Sequence, residues 1–410
     1  MYMTEAKIKE LIKKTDFIHT SGTPEELKIA TLLKEESEKI GAKAWLESFE
    51  VDMATMKEAH LYADGKEIPC KGYFLCGNAD VEAPFLYLPN TDDASLEDVK
   101  GKIVLIDSGM TYFLFKDLYE RGVAGFITYN GDVNYRDNDI DQKELRGYVA
   151  EGKKLPGVNV NAKEAFKLVK NGTKTVRIVV EQDEYKGESH NTVAEIPGTC
   201  DQWIVLSAHL DTTSLSRGSY DNMTGCLGLL CIMDEMMKAK HHYGLRFLFC
   251  GSEERGLLGS KAYVKQHEEE LEKVVLNINL DMIGTVMGKF IACVSAEDAL
   301  VSYIKYMAAE TGWGMAARSG VYSSDSTPFA DKGVPALSFA RLAGAGQSNI
   351  HSRYDTPALL SEHQVKKDSL WIASFTGRMA DAVKCPVKRV IPDNVKNDLD
   401  IYLNRKRREN

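Results

Sequence analysis

Two adjacent carboxylates, Glu253 and Glu254, lie at the centre of the residues in this sequence that could do chemistry. They follow an apolar run, 245–249, that predicts a buried strand, and they precede a glycine-rich turn into a helix. Because consecutive residues at such a turn need not point in opposite directions, both side chains can reach one cleft. One carboxylate could then bind a cation while the other moves a proton. An isolated Glu-Glu pair is more often a solvated loop feature, so this interpretation depends on further ligands.

Further potential ligands follow other predicted strands in the region after residue 190. They are His209 and Asp211 after one strand, Asp221 before the next helix, Asp281 after a later strand, and His351 after the last. In an open α/β sheet, ligands bind beyond the carboxyl ends of the strands, so these groups should meet at one edge. Buried carboxylates repel one another unless cations compensate them. The mixture of imidazole and carboxylate without thiolate suits zinc, and it tolerates cobalt or manganese.

This ligand mixture predicts a hydrolase that uses two metal ions. A carboxylate that bridges two metals roughly 3.5–4 Å apart is the arrangement of two-metal hydrolases, in which a shared water becomes acidic and a carbonyl is polarised. Glu253 could take the proton of that water and return it to a leaving amine. Asp211, two residues after His209, could accept a hydrogen bond from the second ring nitrogen and fix the tautomer.

The elements that must position these residues change in character along the chain. From about residue 190, strands and helices alternate regularly, which predicts an α/β fold with a mixed, mostly parallel sheet flanked by helices. Short strands and turns dominate 56–185 and predict a mainly-β insert. We therefore predict a catalytic domain formed by 1–55 and 186–385, with 386–410 as a C-terminal tail or a short extra helix.

The second helix is the most clearly marked element of the first 55 residues. Thr23 is the expected N-cap, Pro24 occupies the first helical position, and Gly41 ends the helix. Glu25 and Glu26 are interpreted as acidic residues of the first turn, where they favour the helix dipole.

Composition limits the class of protein. The chain has 410 residues, 44% of them hydrophobic and 27% charged, with a net charge of -9, which argues against an extended nucleic-acid surface. No apolar run is long enough to span a bilayer, and the amino terminus lacks the apolar core of a secretion signal. The eight cysteines form no C-x-x-C pair. We therefore expect a cytoplasmic protein without a membrane or nucleic-acid partner, and its oligomeric state is left open, a homodimer being one option.

Five motifs in this order resemble the M28 family of zinc aminopeptidases. They cover about residues 190–385, and they are 209–211 (HLD), 220–222 (YDN), 252–260 (SEERGLLGS), 279–284 (NLDMIG) and 351–356 (HSRYDT). The region 56–185 resembles a protease-associated (PA) domain more loosely, through 99–105 (VKGKIVL) and 121–126 (RGVAGF). The resemblance implies an exopeptidase-type fold and a peptide substrate.

The resemblance also implies a role for each candidate site residue. Two Zn²⁺ ions, with Co²⁺ or Mn²⁺ as possible substitutes, would be held by the following set: His209 and Asp281 on one ion, Glu254 and His351 on the other, and Asp221 between them. Glu253 would be the general acid/base. The peptide bond between Asp221 and Asn222 would be cis.

The sequence departs from the family pattern at two positions. Ser326 stands where many members have histidine after Ser-Asp, and Ile350 stands where some have tyrosine before the last ligand. Tyr322 could steady an oxyanion, although a structural tyrosine gives the same pattern. His19 and most other histidines outside the ligand set are assigned to helices or surface segments without a partner, and His190 is assigned a structural position.

The predicted function is an aminopeptidase that hydrolyses N-terminal residues from peptides, and other interpretations stay open. The same framework could serve a carboxypeptidase, a dipeptidase, another amidohydrolase, a glutaminyl cyclase or, without catalysis, a binding protein. A substrate carboxylate needs a cationic partner, and Arg217, Arg341 and Arg353 lie close to ligand segments. Such arginines more often pair with neighbouring acids.

Overall fold

The structure is a computed structural model that describes residues 2–107 and 109–408. The chain forms two compact units, one made of Met1–Phe49 and Glu188–Asn410 and the other of Glu50–Gly187. Both unit boundaries fall inside long strands. Each unit has an apolar core of its own.

The described residues contain eleven α-helices and fourteen strands. The helices are α1 Glu5–Thr15, α2 Pro24–Ile40, α3 Tyr112–Glu120, α4 Gly147–Ala150, α5 Ala162–Lys170, α6 Thr224–Met236, α7 Leu258–Gln266, α8 Asp298–Glu310, α9 Ser326–Asp331, α10 Glu362–Ala380 and α11 Asp393–Tyr402. The strands are β1 Lys43–Ala63, β2 Lys66–Ile68, β3 Lys71–Gly72, β4 Ala79–Leu88, β5 Ile103–Ile106, β6 Gly125–Asn130, β7 Gly157–Asn161, β8 Thr175–Ile196, β9 Trp203–His209, β10 Gly244–Cys250, β11 Val274–Leu280, β12 Gly288–Ser295, β13 Ala316–Ser319 and β14 Ala336–Ala343.

The first unit is built on a mixed sheet in the order β13-β12-β14-β11-β9-β10-β8. The central strands β14, β11, β9 and β10 run parallel to one another, and β8 and β12 join them antiparallel. The predicted α/β fold with a mixed, mostly parallel sheet is therefore confirmed.

Helices cover both faces of this sheet because the side chains of its central strands are apolar in both directions. In β9, Ile204 and Leu206 contribute to the larger apolar cluster, which includes residues of α1, α2, α6 and α10. Val205 points to the opposite face and joins a smaller cluster with residues of α7, α9 and α11. Continuous apolar strands of this kind are typical of sheets buried on two sides.

The predicted helix ends of α2 are confirmed. The Thr23 hydroxyl accepts a hydrogen bond from the Glu26 backbone N–H at 3.3 Å, and Pro24 begins the helix. Gly41 ends it in the left-handed region, at φ 113°, where a side chain would be strained. These local signals fix where the helix begins and ends, whereas its orientation depends on what its apolar face contacts.

The second unit has a sheet in which β5, β6 and β7 run parallel, with β3 antiparallel beside β7. On its other side β4 pairs parallel with β5 and antiparallel with the first part of β8. Helices α3 and α5 contribute Phe115 and Leu168 to its apolar cluster. The unit is therefore mixed in composition, with more helix than a purely β insert.

Residues 386–410, predicted as a tail or a short extra helix, belong to the first unit by their contacts. They contain α11, whose Val395 and Leu399 are buried in the smaller apolar cluster of that unit. Among the described residues, no helix combines the length and the apolar character needed to cross a membrane.

Candidate metal centre

Three of the five candidate ligands, His209, Glu254 and Asp281, lie at or just beyond the carboxyl ends of three neighbouring parallel strands. His209 is the last residue of β9 and pairs in register with Cys250, the last residue of β10. Asp281 directly follows β11, which lies on the other side of β9. Parallel strands that end at the same level bring the residues that follow them to one edge of the sheet. The sheet topology therefore explains why residues far apart in the sequence meet.

Asp221 lies between the two histidines. Its Oδ1 is 3.1 Å from His209 Nε2, and its Oδ2 is 3.1 Å from His351 Nε2. Glu254 Oε1 is also 3.1 Å from His351 Nε2, and Asp281 Oδ1 is 3.8 Å from His209 Nε2. The five predicted ligands are thus brought together into two groups that share Asp221.

This donor set fits a pair of zinc ions. A tetrahedral zinc ion with bonds of roughly 2.1 Å separates its ligand atoms by roughly 3.4 Å, close to the spacings found here. Ligand atoms of His209, Asp221 and Glu254 all lie within 4.8 Å of one another. Among the described residues, Asp281 Oδ1 is buried and has no hydrogen-bond donor. In a cation site, a buried carboxylate oxygen needs no hydrogen-bond donor because the cation is its partner.

Burial and mutual repulsion dominate the electrostatics of Asp281, Glu253 and Glu254, whereas at Asp221 burial is outweighed by hydrogen bonds from the two histidines, which lower the pKa. Burial raises the pKa of Asp281 to about 7, although His209 opposes the shift. Burial and the neighbouring Glu254 likewise raise the pKa of Glu253 well above its usual range. Burial and Asp221 raise the pKa of Glu254, against the effect of His351. Without cations, this cluster therefore resists being fully ionised.

The pKa values of both histidines are also raised, which for an imidazole favours the charged form. Burial alone would lower the pKa of His209, but Glu253 and the aspartates around it raise it well above its ordinary value. Burial also works against the charged form of His351, yet hydrogen bonds to Asp221 and Glu254 raise its pKa to about 11. An excess of carboxylates over imidazoles favours positive charge at this position, whether from protons or from metal ions.

Glu253 lies at the edge of the cluster, with its side chain 12% exposed and its Oε2 4.0 Å from His209 Nε2. His351 is far more open, with 46% of its side chain exposed, whereas the Asp221 side chain is only 6% exposed. The centre is therefore closed on the side of the sheet and open on the side of His351, where a substrate can enter.

Asp211 holds the loop of the two glutamates. Its Oδ1 accepts the Glu253 backbone N–H at 2.8 Å, and its Oδ2 accepts the Glu254 backbone N–H at 3.2 Å. The predicted hydrogen bond to the His209 ring differs in the structure. The ring Nδ1 lies 3.3 Å from the Asp211 backbone carbonyl oxygen and 3.7 Å from the carboxylate, so the carbonyl orients the ring.

Asp355 anchors the backbone at Asp221 in a similar way, and the sequence alone gives Asp355 no role. This fully buried carboxylate accepts the backbone N–H groups of Tyr220 at 2.8 Å and Asp221 at 3.1 Å. The Ser216 hydroxyl donates to it at 3.1 Å. The peptide bond between Asp221 and Asn222 is cis, as the family resemblance implies. The one available signal was the position of Asp355 inside the motif that begins at His351.

Residues with left-handed backbone concentrate around the ligands. Of the eight described non-glycine residues with positive φ, four are a ligand or lie within three residues of one: Ser252 at 56°, Leu257 at 62°, Met282 at 64° and His351 at 61°. Such conformations are unfavourable for residues with a side chain and persist where the surroundings impose them. Their position supports a functional role for this edge of the sheet.

Other residues singled out in the sequence lie at varying distances from this chemistry. Tyr322 is half-buried, and burial together with nearby Asp281 raises the pKa of its phenol. Arg341 forms a two-pronged pair with Asp368 at 2.8 and 2.6 Å. The prediction that His19 lies on a helix or a surface segment is wrong, because His19 lies outside the helices and is only 1% exposed.

Comparison with known proteins agrees with this geometry. Residues 191–376 match the model of peptidase family M28, and this segment contains all five candidate ligands together with Glu253.

The sequence is also similar to those of named aminopeptidases. The chain is 30% identical over 259 residues to leucine aminopeptidase 2 of Arthroderma otae, which covers 58% of this chain and 48% of that protein. It is 26% identical over 423 residues to aminopeptidase YwaD of Bacillus subtilis, which covers 97% of this chain and 87% of that protein. The chain spans about half the length of the fungal relatives it matches.

Solved structures share the fold over nearly the whole chain. An aminopeptidase from Aneurinibacillus sp. strain AM-1 aligns with a TM-score of 0.76 at 22% identity, over 94% of this chain and 96% of that one. BSAP, a zinc aminopeptidase from Bacillus subtilis, aligns with a TM-score of 0.75 at 21% identity, over 96% and 97%. At this identity the likeness establishes the fold.

Proposed function

We propose that this protein is a dinuclear zinc aminopeptidase that removes N-terminal residues from peptides. The observation that carries the proposal is the pair of ligand groups that share Asp221. His209 and Asp281 would hold one Zn²⁺, and Glu254 and His351 the other. The two bound cations would supply Lewis acidity, which activates water and polarises the scissile carbonyl.

Glu253 is the general acid/base of this proposal. It lies next to a ligand but is not needed as one, and its partly exposed carboxylate faces the cluster. It would accept a proton from water and return it to the amine that leaves. Tyr322, which lies near Asp281, would donate a hydrogen bond to the carbonyl oxygen as charge develops there.

The charges around the centre favour recognition of an amine over recognition of a carboxylate. A substrate carboxylate would require a cationic side chain, and the candidates Arg341 and Arg217 are already paired. Arg341 binds the buried Asp368, and Arg217 lies 3.2 Å from Asp16. The excess of carboxylates at the centre suits the ammonium group of a free peptide amino terminus.

Replacing Glu253 with Gln tests the catalytic role. The amide keeps the size of the side chain but cannot take a proton, so kcat should fall by roughly 10²–10⁴-fold. Zinc content, measured by atomic emission on the purified protein, should stay at two ions per chain. Glu268→Gln is the matched control, because Glu268 is exposed and pairs only with Lys332 in the structure. Near-normal turnover by the Glu253→Gln protein would refute the mechanism.

A peptide panel tests the substrate class. Peptides with a free amino terminus should be cleaved from that end, and their acetylated forms should resist cleavage, with Zn²⁺, Co²⁺ or Mn²⁺ supplied in turn. Cleavage that depends on a free carboxyl terminus instead would identify a carboxypeptidase. A protease-associated likeness of residues 56–185, a cytoplasmic location and a homodimer stay predictions.

A further inference from the structure

Glu26 is a fully buried carboxylate of α2 that lies behind the loop of the two catalytic-centre glutamates. Its Oε1 accepts the Ser189 hydroxyl at 2.7 Å, and its Oε2 accepts the Gly22 backbone N–H at 2.7 Å. It also packs directly on the loop, because a Cβ atom placed on Gly251 would lie 2.8 Å from Glu26 Oε1. This carboxylate therefore contacts the backbone two residues before Glu253.

A chain of hydroxyl groups connects Glu26 with the same loop. The Ser252 hydroxyl donates to the Ser189 hydroxyl at 2.7 Å, and a second hydrogen bond joins Ser252 to the Ser21 hydroxyl. Ser21, Ser189 and Ser252 are all buried. Ser252 has left-handed backbone, at φ 56°, so its conformation needs support from its surroundings. The serine chain and Glu26 supply that support.

The position of Glu26 is not explained by its place in the helix. An acidic residue that only favours the helix dipole can remain in water, as the neighbouring Glu25 does. Burial raises the pKa of Glu26 to about 8, and the nearby Asp211 adds to the shift. Keeping a carboxylate in such a place is unfavourable for stability. A group retained against that penalty, and connected through Ser189 to the loop that carries Glu253 and Glu254, is a candidate for function.

We propose that Glu26 is a positioning residue of the metal centre, which acts through Ser189 and Ser252 to hold Glu253 and Glu254 in place. The proposal rests on the proposed function. Asp211 anchors the backbone N–H groups of the two glutamates from one side, and Glu26 anchors the preceding turn from the other. With both anchors the loop has one conformation, and without Glu26 it has several.

The hydrogen-bond chain allows a positioning role of Glu26 to be distinguished from proton transfer by its carboxylate. In Glu26→Gln the amide NH₂ can donate to Ser189, which then donates to Ser252, so every bond is kept with its direction reversed. The remaining amide oxygen still accepts the Gly22 N–H. Glu26→Ala removes the acceptors and leaves space behind Gly251. A positioning residue should therefore be rescued by Gln, whereas a group that transfers a proton should not.

The experiment compares Glu26→Ala and Glu26→Gln with the wild-type protein. The readouts are kcat and KM on a leucyl chromogenic amide, zinc affinity by competition with a chelator, and thermal unfolding. Loss of a residue that orients metal ligands commonly reduces metal affinity or activity by about 10–100-fold. We expect a loss of that size for Glu26→Ala in kcat or in zinc affinity, with KM little changed. Glu26→Gln should stay within about threefold of wild type in both.

Glu36 provides the matched control on the same helix. It is also fully buried, but it pairs with Lys7 at 3.0 Å and Lys39 at 2.9 Å, away from the metal centre. Glu36→Ala should lower the unfolding temperature while kcat and zinc affinity stay at the wild-type level. This separates a general loss of stability from a loss of positioning.

Two results would overturn the proposal: kcat and zinc affinity of Glu26→Ala within about threefold of wild type, or Glu26→Gln as impaired as Glu26→Ala. If Glu26→Ala does not fold, Ser189→Ala decides, because it interrupts the same chain without removing the carboxylate. Wild-type protein that binds zinc but cleaves no peptide would refute the proposed function. In that case the zinc affinities of the variants still test the role of Glu26.

Discussion

Replacing Asp211 with Asn should reduce turnover, because Asp211 anchors the backbone of the loop that carries Glu253 and Glu254. Each oxygen of the Asp211 carboxylate accepts one backbone N–H, from Glu253 at 2.8 Å and from Glu254 at 3.2 Å. Asn offers one acceptor and one donor, so its NH₂ group must face an N–H group. One glutamate loses its anchor, although the volume of the side chain is unchanged.

The size of the effect follows from the type of bond that is lost. A hydrogen bond to a charged group contributes about 1.5–3 kcal/mol, and Asp211 is fully buried, so water cannot replace the acceptor. If that energy is lost from the transition state, kcat falls by about 10- to 150-fold, since each 1.36 kcal/mol changes a rate tenfold. KM should change less, because the substrate still binds in the same cleft.

Asp234 offers a control with the same geometry in another place. Its two oxygens accept the backbone N–H groups of Tyr2 and Met3, each at 3.0 Å, near the end of α6 that is remote from the metal centre. Asp234→Asn should reduce stability without reducing kcat. The assay is steady-state cleavage of a leucyl amide by zinc-loaded proteins. An Asp211→Asn protein that keeps both its zinc and a kcat within about threefold of wild type would refute the reasoning.

Three further predictions concern metal removal, a buried ion pair and the C-terminal helix. Chelation should abolish peptide cleavage and lower the unfolding temperature, and added Zn²⁺ should restore both. A ligand present at 1,000 times its Kd adds about 4 kcal/mol to the free energy of unfolding. Activity that persists after verified metal removal would exclude a metallopeptidase. Arg341→Met should destabilise the protein by about 3–5 kcal/mol in urea unfolding, because Asp368 stays buried without its partner, while the preference among peptide termini stays unchanged. Leu399→Ala should lose about 2–5 kcal/mol from the apolar cluster of α11. By contrast, Arg405→Ala breaks partly exposed pairs with Asp331 and Asp400 and should lose less than about 1 kcal/mol, so equal losses would contradict the assigned packing.

The ligand set could be proposed from the sequence because each ligand follows a local signal. Apolar runs predict the strands β9, β10 and β11, and a polar residue after a buried strand is visible without knowing its neighbours. What the sequence does not encode locally is the order of the strands in the sheet, with β9 between β10 and β11. The family motifs supplied that order indirectly, because they occur in a fixed succession.

The supporting carboxylates were missed because their partners are distant in the chain. Glu26 binds a hydroxyl 163 residues away, and Asp355 binds backbone groups 134 and 135 residues away. His19 was assigned no partner, yet its backbone N–H donates to the Thr212 hydroxyl 193 residues away. Local rules place Glu26 in a helix first turn, which is correct, but they cannot show that this turn packs on another loop.

Glycines in and beside the loop that carries Glu253 and Glu254 are needed for two different reasons, one local and one long-range. The sequence indicates a tight turn, and Gly256 does occupy the left-handed region at φ 107°. Gly251 and Gly259 have ordinary negative-φ or extended backbone, yet a Cβ on Gly259 would lie 2.2 Å from the Gly251 carbonyl oxygen. A Cβ on Gly251 would lie 2.5 Å from the His190 carbonyl oxygen. These two glycines are therefore required for close contact between backbones, which lets the loop sit deep enough for Glu253 and Glu254 to reach the ligands of β9 and β11.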